Sequence, residues 1–230
     1  MSRGIFITGT DTGAGKTVIS GLLGRYLAEK GYNVITQKWV QTGDIQDVDR
    51  HLGLMKISRP RIKDCLSRVC PYNFKFAASA HLAACLERKK IAPDKIKRSF
   101  QYLSRRFDVV IVEGTGGALV PFSRKGLIID IVKELHLPAI IVAANKLGAI
   151  NHTLLTVEAL RKRRITVAGI IFNNIDQNAD ERVLTDNIKI IRTLSGEKVL
   201  GILPYRETDE CLYRQFVPIG RKILSRWIPG

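Results

Sequence analysis

The chain has 230 residues, 45% of them hydrophobic, with 37 Lys and Arg against 21 Asp and Glu, a formal net charge of +16. This length predicts one domain with a large buried core, and no apolar run approaches the ~18 residues that a membrane span requires. The N-terminus leads into a strand without an apolar signal region, so we expect a cytoplasmic protein with no membrane partner. The basic residues are dispersed and accompany no nucleic-acid-binding motif. This favours a basic surface around an anionic small-molecule site over a specific nucleic-acid partner.

Continuous β-branched apolar runs alternate with amphipathic segments of helix length along the chain. The predicted strands are 4–9, 33–40, 108–114, 138–145, 166–174 and 198–204, and the predicted helices are 15–30, 93–106, 127–136, 150–163, 178–194 and 208–227. Strands of this kind are buried on both faces. The pattern therefore predicts an α/β, doubly wound, mainly parallel sheet with helices on both faces. The stretch 44–92 is less regular, and no linker divides residues 1–230, which we interpret as a single domain.

The segment "GTDTGAGKT", residues 9–17, stands between the first predicted strand and the first predicted helix. A phosphate-binding loop needs that placement, because its backbone N–H groups and the helix N-terminus must face the anion. Gly13 and Gly15 permit the backbone turns, Lys16 can reach the β- and γ-phosphates, and Thr17 can offer its hydroxyl to Mg²⁺. Five residues separate Gly9 from Gly15 where the common form has four, which favours a particular subclass of P-loop NTPase.

Three further charged side chains are predicted near the carboxyl edge of the sheet, where doubly wound folds bind ligands. Glu113 ends the strand "DVVIV" and is a candidate Mg²⁺ ligand, although a strand end can also carry a surface acid. Asp49 in "QDVDRHLG" is the second candidate, with Asp47 close enough to be confused with it. Lys38 ends the second strand and can stabilise charge during phosphoryl transfer, or lie on the surface. The histidines His51, His81, His136 and His152 are scattered and are interpreted as structural.

The motifs "GTDTGAGKT", "KWVQTG", "VEGTGG", "NKLGAINH" and "FNN" occur in the order and approximate spacing of the dethiobiotin synthetases. The chain resembles this family from Ile5 to about Pro204, and the family's loop has the same five-residue spacing. The resemblance implies an ATP-dependent cyclo-ligase that converts 7,8-diaminononanoate and CO₂ into dethiobiotin, in biotin biosynthesis. It further implies ATP as co-substrate, Mg²⁺ as cofactor, and a homodimer that has no specific nucleic-acid partner.

The resemblance also implies roles for individual residues. Catalysis would use Lys38 and Lys16, and the metal ligands would be Thr17, Asp49 and Glu113. The nucleotide would contact Gly13, Ala14, Gly15, Lys16, Thr17, Val18, Glu113, Gly114, Thr115, Gly116, Asn173, Asn174, Pro204 and Tyr205, the last four around the base. The diamine and its carboxylate tail would contact Thr12, Lys38, Thr42, Gly148, Ala149, Ile150 and Asn151, with residues 147–151 acting across the dimer interface.

Some residues depart from the family's pattern. Trp39 follows the catalytic lysine where a proline is usual, so we expect burial of its indole to hold Lys38 in place. Ala80 precedes His81 where a proline is common, and the net charge is more basic than the family implies.

The alternative function is a partition-type or Min-type ATPase switch that binds DNA or membrane. Those proteins carry a signature lysine where this loop has Asp11. An amide synthetase of the cobyrinate type would need a glutaminase domain, for which 230 residues leave no room.

Overall fold

The structure of the protein is a computed structural model that describes residues 3–43 and 47–227. The strands are β1 Arg3–Gly9, β2 Val34–Lys38, β3 Val40–Thr42, β4 Tyr72–Phe74, β5 Val109–Gly117, β6 Pro121–Ser123, β7 Gly126–Leu127, β8 Ala139–Ala144, β9 Val167–Asn173 and β10 Val199–Leu203. The α-helices are α1 Lys16–Glu29, α2 Asp47–Met55, α3 Leu66–Val69, α4 Ala80–Leu86, α5 Pro93–Ser104, α6 Ile128–Glu134, α7 Ala149–Lys162, α8 Glu181–Ser195 and α9 Asp209–Trp227, with a 3-10 helix at Arg59–Cys65.

Six strands form the main sheet, in the order β10-β9-β8-β1-β5-β2. Every neighbouring pair in it is parallel. From β1 the chain passes to the edge strand β2, returns to β5 between the two, and then continues on the other side of β1 through β8, β9 and β10. Such a reversal of direction beside β1 is typical of a doubly wound fold. The predicted fold class is therefore confirmed. In the two described ranges, no helix is both long and apolar enough to cross a membrane.

The sheet is covered by helices on both faces because its strands alternate their buried side chains between two cores. Along β1, Ile5 and Ile7 belong to one core and Phe6 belongs to the other. Successive side chains of a strand point to opposite faces, so each strand contributes to both layers. The first core also takes side chains from α1 and α9, and the second takes them from α5, α6, α7 and α8.

The predicted strand 33–40 is divided in the structure. β2 ends at Lys38, and after Trp39 the chain starts β3, which pairs with β4 in a separate two-stranded parallel sheet. Within the main sheet, Lys38 of β2 is in register with Glu113 of β5, and Glu113 is in register with Ile7 of β1. The three strands therefore present their carboxyl ends side by side. This edge carries the candidate site.

Candidate active site

The loop between β1 and α1 has the backbone that an anion-binding loop requires. Gly13 and Gly15 have φ angles of 79° and 95°, in the left-handed region that favours glycine. Gly15 is the N-cap of α1, whose first amide groups have no partner one turn earlier. A Cβ on Gly15 would lie 2.1 Å from the side-chain nitrogen of Asn173, so this position also needs glycine for packing. The loop borders a cleft of about 660 Å³.

Lys16 lies in this cleft but is only 6% exposed. Its ammonium group donates a hydrogen bond of 3.0 Å to the backbone carbonyl of Asp11. The side chain of Asp11 in turn accepts a 2.7 Å hydrogen bond from the backbone N–H of Thr12. Burial, followed by the nearby charge of Lys38, lowers the pKa of Lys16 to about 8. The additional residue between Gly9 and Gly15 thus places the backbone carbonyl of Asp11 beside the Lys16 ammonium.

A cluster of oxygen atoms surrounds Lys38 next to the loop. The Lys38 ammonium lies 2.6 Å from Glu113 Oε1 and 2.8 Å from Asp47 Oδ2. The hydroxyl oxygen of Thr17 lies 3.0 Å from Glu113 Oε1 and 3.1 Å from Asp47 Oδ1, and its single proton is shared between these two acceptors. Strand register explains the first pair, and the start of α1 brings the threonine to the same point. Three predicted site residues, Lys38, Thr17 and Glu113, therefore meet here.

The charges of this cluster stabilise one another against the cost of burial. Lys38 is 4% exposed and Glu113 is 1% exposed. Burial opposes the charged form of each group. For Glu113, however, the charge of Lys38 and the hydrogen bond from His51 prevail and hold its pKa well below the usual range. For Lys38, Glu113 and Asp47 prevail over burial and raise its pKa. Both groups are charged at neutral pH, and each depends on the other.

The structure corrects the prediction for the second carboxylate. Asp47, the residue considered as its competitor, borders the cleft and contacts Lys38 and Thr17. Asp49 contacts Arg59 at 3.3 Å and does not border the cleft. Both residues are on α2, where positions two apart point to nearly opposite sides of the helix. Only one of them can face Glu113.

The oxygen set of the cluster fits a small divalent cation. The hydroxyl oxygen of Thr17 lies within 3.1 Å of one oxygen of Asp47 and one oxygen of Glu113. In the structure, the ammonium of Lys38 bridges the two carboxylates and offsets one of their two negative charges. Mg²⁺ prefers oxygen ligands of this kind and keeps several waters. The residues present are therefore suited to hold Mg²⁺ beside the phosphate loop.

Comparison with known proteins identifies the family. Residues 3–209 match the model of a family described as an AAA domain. The chain is 40% identical over 202 residues to the ATP-dependent dethiobiotin synthetase BioD of Methanococcus vannielii, covering 86% of this chain and 92% of that one. It is 43% identical over 188 residues to the BioD of Chlorobaculum tepidum, covering 80% of this chain and 78% of that one. The chain belongs to the ATP-dependent dethiobiotin synthetase family.

Solved structures with the same fold come from more distant proteins. The MinD cell division protein of Aquifex aeolicus superposes with a TM-score of 0.61 at 17% identity, covering 99% of each chain. A ParA family ATPase from Chlorobium tepidum gives 0.57 at 15% identity, covering 98% of this chain and 92% of that one. At such identities the likeness shows a shared P-loop fold alone. Membership of the dethiobiotin synthetase family rests on the sequence relatives.

Seven of the other seventeen residues that the dethiobiotin synthetase resemblance predicts also border the cleft. Lining positions among them are Thr12, Gly13, Gly15, Val18, Thr42, Thr115 and Gly116. Gly114 contributes its carbonyl to Lys38 at 3.2 Å, and the Thr115 hydroxyl donates to the carbonyl of Val40. Residues 77–79 complete the wall, and no motif in the sequence pointed to them.

The predicted base-binding residues lie at the ends of β9 and β10. Asn173 donates its side-chain N–H to the carbonyl of Ala14 at 3.0 Å, which braces the phosphate loop against β9. The side chain of Asn174 accepts a hydrogen bond of 2.9 Å from Asn145. Pro204 and Tyr205 follow β10 at the same edge, and Tyr205 is exposed. Asn173 is thus committed to the loop in this structure, and a role in base recognition stays a prediction.

The predicted substrate residues Gly148, Ala149, Ile150 and Asn151 are outside the cleft of their own chain. Gly148 has a φ of 87° and is the N-cap of α7, directly after β8. Leu147 beside it is 87% exposed. This position is compatible with contact across a dimer, which stays a prediction for this member of the family.

Two side chains next to the cluster are fully buried. Trp39 is fully buried, with its ring 5.6 Å from that of Phe6. Its indole N–H donates to the side chain of Gln37 at 3.0 Å, which confirms that burial anchors the residue after Lys38. His51 is also fully buried, and its Nε2 lies 2.5 Å from Glu113 Oε2. Sequence analysis missed His51, although its position four residues after Asp47 on one helix was a usable signal.

Proposed function

We propose that the protein forms dethiobiotin from 7,8-diaminononanoate, CO₂ and ATP. The observation that carries the proposal is the buried cluster of Lys38, Asp47, Glu113 and Thr17 directly beside the phosphate loop. Sequence relatives across most of the chain are ATP-dependent dethiobiotin synthetases. An aqueous cleft with these charges suits a reaction in which a phosphoryl group passes to an anionic acceptor.

The reaction proceeds in three steps in which atoms balance. One amine of the diamine adds to CO₂ and loses a proton, which gives a carbamate. A carbamate oxygen then takes the γ-phosphoryl group of ATP, and ADP leaves. The second amine attacks the carbonyl carbon and loses a proton, so that a C–N bond forms, phosphate leaves and the cyclic urea closes. Phosphorylation is needed because a carbamate is a weak electrophile with a poor leaving group.

The chain's residues have separate tasks in this scheme. The loop backbone at Gly13–Val18 holds the phosphates, and Lys16 contributes its charge to the β- and γ-phosphates. Lys38 stabilises the carbamate and the transferring phosphoryl group, while Thr12 and Thr42 position the diamine. Thr17, Asp47 and Glu113 hold Mg²⁺, which supplies positive charge to the phosphate oxygens when bound. A MinD protein of the same fold is known as a complex with Mg-ADP.

We further infer that the active form is a cytoplasmic homodimer. Residues 147–151 would then hold the carboxylate tail of a substrate bound mainly by the partner subunit. The proposed reaction has no use for nucleic acid or a membrane. The nucleotide base would be read near Asn174, Pro204 and Tyr205, with Asn173 bracing the loop.

Product formation tests the proposal directly. The protein is incubated with Mg-ATP, bicarbonate and the diamine, and dethiobiotin is measured by mass spectrometry alongside ADP. We expect product and ADP in equal amounts, and neither without the diamine.

The Lys38→Ala variant should form product at least ~10²-fold more slowly, while its affinity for a non-hydrolysable ATP analogue changes little. The exposed Lys125 provides the control, as Lys125→Ala. Brisk ATP hydrolysis that ignores the diamine would contradict the proposal.

A further inference from the structure

The two oxygens of the Glu113 carboxylate have different partners. Oε1 faces the cleft and receives both the Lys38 ammonium at 2.6 Å and the Thr17 hydroxyl at 3.0 Å. Oε2 faces away and lies 2.5 Å from Nε2 of His51. A carboxylate can rotate about its last bond, and such terminal torsions have broad energy wells. If Lys38 and Thr17 were the only partners of the Glu113 carboxylate, its orientation would depend on groups that also bind the substrates.

His51 supplies a contact that no substrate can displace. It is fully buried, as is Glu113 apart from 1% of its surface. Among the described residues, Nδ1 of His51 has no hydrogen-bond partner, so the contact with Glu113 is the ring's only polar interaction there. A buried polar ring costs free energy unless its hydrogen bonds are made. An aliphatic side chain would fill the same space without that cost, so packing alone does not explain the histidine.

We propose that His51 is a positioning residue that fixes Glu113 with Oε1 toward the cleft and thereby sets the affinity of the site for the divalent cation of the nucleotide. The inference rests on the proposed Mg-nucleotide site. Partners that orient a metal's ligands are worth ~10- to 100-fold in metal affinity or activity. Because Glu113 has contacts on both oxygens, it is held in one orientation whether or not Lys38 turns to the substrate.

Helix α2 carries both the proposed cation ligand Asp47 and the positioning residue His51. Asp47 and His51 are four residues apart on α2 and therefore lie on one face of it. Asp47 provides an oxygen to the cluster, and His51 orients the oxygen that Glu113 provides. The position of α2 thus determines two of the three proposed cation ligands together.

The test compares His51→Leu, which keeps an apolar side chain of moderate size, with His51→Gln, which keeps an N–H donor on a flexible chain. Calorimetry measures the affinity for a non-hydrolysable ATP analogue with and without Mg²⁺, independently of turnover. We expect His51→Leu to reduce the gain in affinity that Mg²⁺ provides by ~10- to 100-fold, with binding in the absence of Mg²⁺ unchanged. His51→Gln should recover a large part of the gain.

A destabilised control separates positioning from packing. Ile191 is fully buried on α8 and belongs to another part of the core, and Ile191→Val should cost ~0.5–1.5 kcal/mol of stability without changing the effect of Mg²⁺. If His51→Leu melts at a lower temperature but keeps the full gain from Mg²⁺, the inference is wrong and His51 is a core residue. If the unmodified protein itself gains nothing from Mg²⁺, the proposed nucleotide site fails instead.

A measurement on the unmodified protein avoids any question of folding. The ring N–H of His51 should give a slowly exchanging, strongly shifted resonance in ¹⁵N-histidine spectra, because it is buried and hydrogen-bonded to a carboxylate. That resonance should move when Mg²⁺ is added to the complex with the ATP analogue, while the resonance of the exposed His136 stays in place. A His51 resonance that ignores saturating Mg²⁺ would overturn the inference.

Discussion

At the scale of single residues, Asp47 and Asp49 offer a matched pair on one helix. Asp47→Asn removes a charge that contacts Lys38 and Thr17, so the Mg²⁺ concentration for half-maximal activity should rise at least ~10-fold. Asp49→Asn removes only an exposed pair with Arg59, which is worth ~0–1 kcal/mol. It should leave the Mg²⁺ dependence unchanged. Titration of activity with Mg²⁺ checks both variants. If Asp49→Asn needs more Mg²⁺ and Asp47→Asn does not, Asp49 is the metal ligand.

The pKa of Lys16 gives a second prediction at this scale. Since burial and Lys38 lower that pKa to about 8, the ammonium form is complete well below pH 8 and disappears above it. Phosphate binding favours the ammonium form, so nucleotide affinity should fall between about pH 8 and 9.5, by up to ~10-fold per unit. Calorimetry across this range measures the slope. Lys16→Gln should bind weakly with no such slope, and a flat profile for the unmodified protein would contradict the assignment.

Local patterns predicted the phosphate loop but could not select the residues around it. Gly13, Gly15 and Lys16 are identified by short-range order, since a strand, a glycine turn and a helix follow one another in sequence. Choosing Asp47 over Asp49 requires the orientation of α2 about its axis, which its packing on α1 determines. The spacing of His51 from Asp47 places both on one face of α2, but it does not reveal the contact of His51 with Glu113, which is 62 residues away. Long-range packing, which a sequence does not display, decides such contacts.

At the scale of elements, close packing of α1 against α2 positions half of the cation cluster. Gly21 and Gly24 of α1 face Leu54 and Met55 of α2, and a Cβ on Gly21 would lie 2.7 Å from the Cβ of Leu54. A glycine in a helix interior normally costs ~1 kcal/mol relative to alanine. Here it permits an approach that carries Asp47 and His51 to the site.

Gly21→Ala should therefore move α2 outward and weaken the effect of Mg²⁺ on nucleotide binding. We expect it to destabilise the fold by ~1–3 kcal/mol, as overpacked cores do, despite the better helix propensity of alanine. Gly53 is the matched control, since it is exposed on α2 and a Cβ there would contact nothing within 4 Å. Gly53→Ala should raise the melting temperature and preserve the response to Mg²⁺. Equal behaviour of the two variants would contradict the packing argument.

Elements outside the main sheet were the hardest to predict. The continuous run 33–40 predicted one strand, yet the chain leaves the sheet after Lys38 and Trp39 fills the core beside Phe6. A run of apolar residues signals burial but not which layer buries it. The six parallel strands, by contrast, were recognisable because both of their faces are covered. Their order then brought Lys38 and Glu113 into register.

At the scale of the whole molecule, the charge of +16 raises the question of polyanion binding. A cleft of about 520 Å³ gathers exposed cations at the amino end of β10, away from the phosphate loop; these are Arg192, Lys198, Lys222 and Arg226. We expect any DNA binding to be indifferent to sequence and to fall steeply with salt, because it would depend on phosphate neutralisation alone. Fluorescence anisotropy with two unrelated duplexes, at about 50 and about 200 mM salt, checks this. Tight, selective binding at the higher concentration would contradict it.

Assembly is the other property of the whole molecule that the surface predicts. Leu119 and Leu155 are about half exposed and border one small cavity, and Leu147 is 87% exposed before α7. Clustered exposed leucines of this kind mark interaction surfaces. At the start of α7 the backbone N–H of Ala149 already donates to the carbonyl of Lys146 at 3.0 Å, so a carboxylate presented from another subunit would bind the amide groups of Ile150 and Asn151 that follow it. We predict that a dimer forms through this surface and that residues 147–151 of one subunit reach the cleft of the other.

Leu155→Glu should therefore break the dimer and lower turnover of the diamine, because a buried, unpaired charge at an interface is costly. Nucleotide binding should persist, since the phosphate loop and the cation cluster lie within one chain. Leu194, 61% exposed on α8, provides the control, and Leu194→Glu should remain dimeric and active. Sedimentation velocity and dethiobiotin formation measure the two properties together. A monomer with full turnover, in either the unmodified protein or Leu155→Glu, would show that each subunit completes its own site.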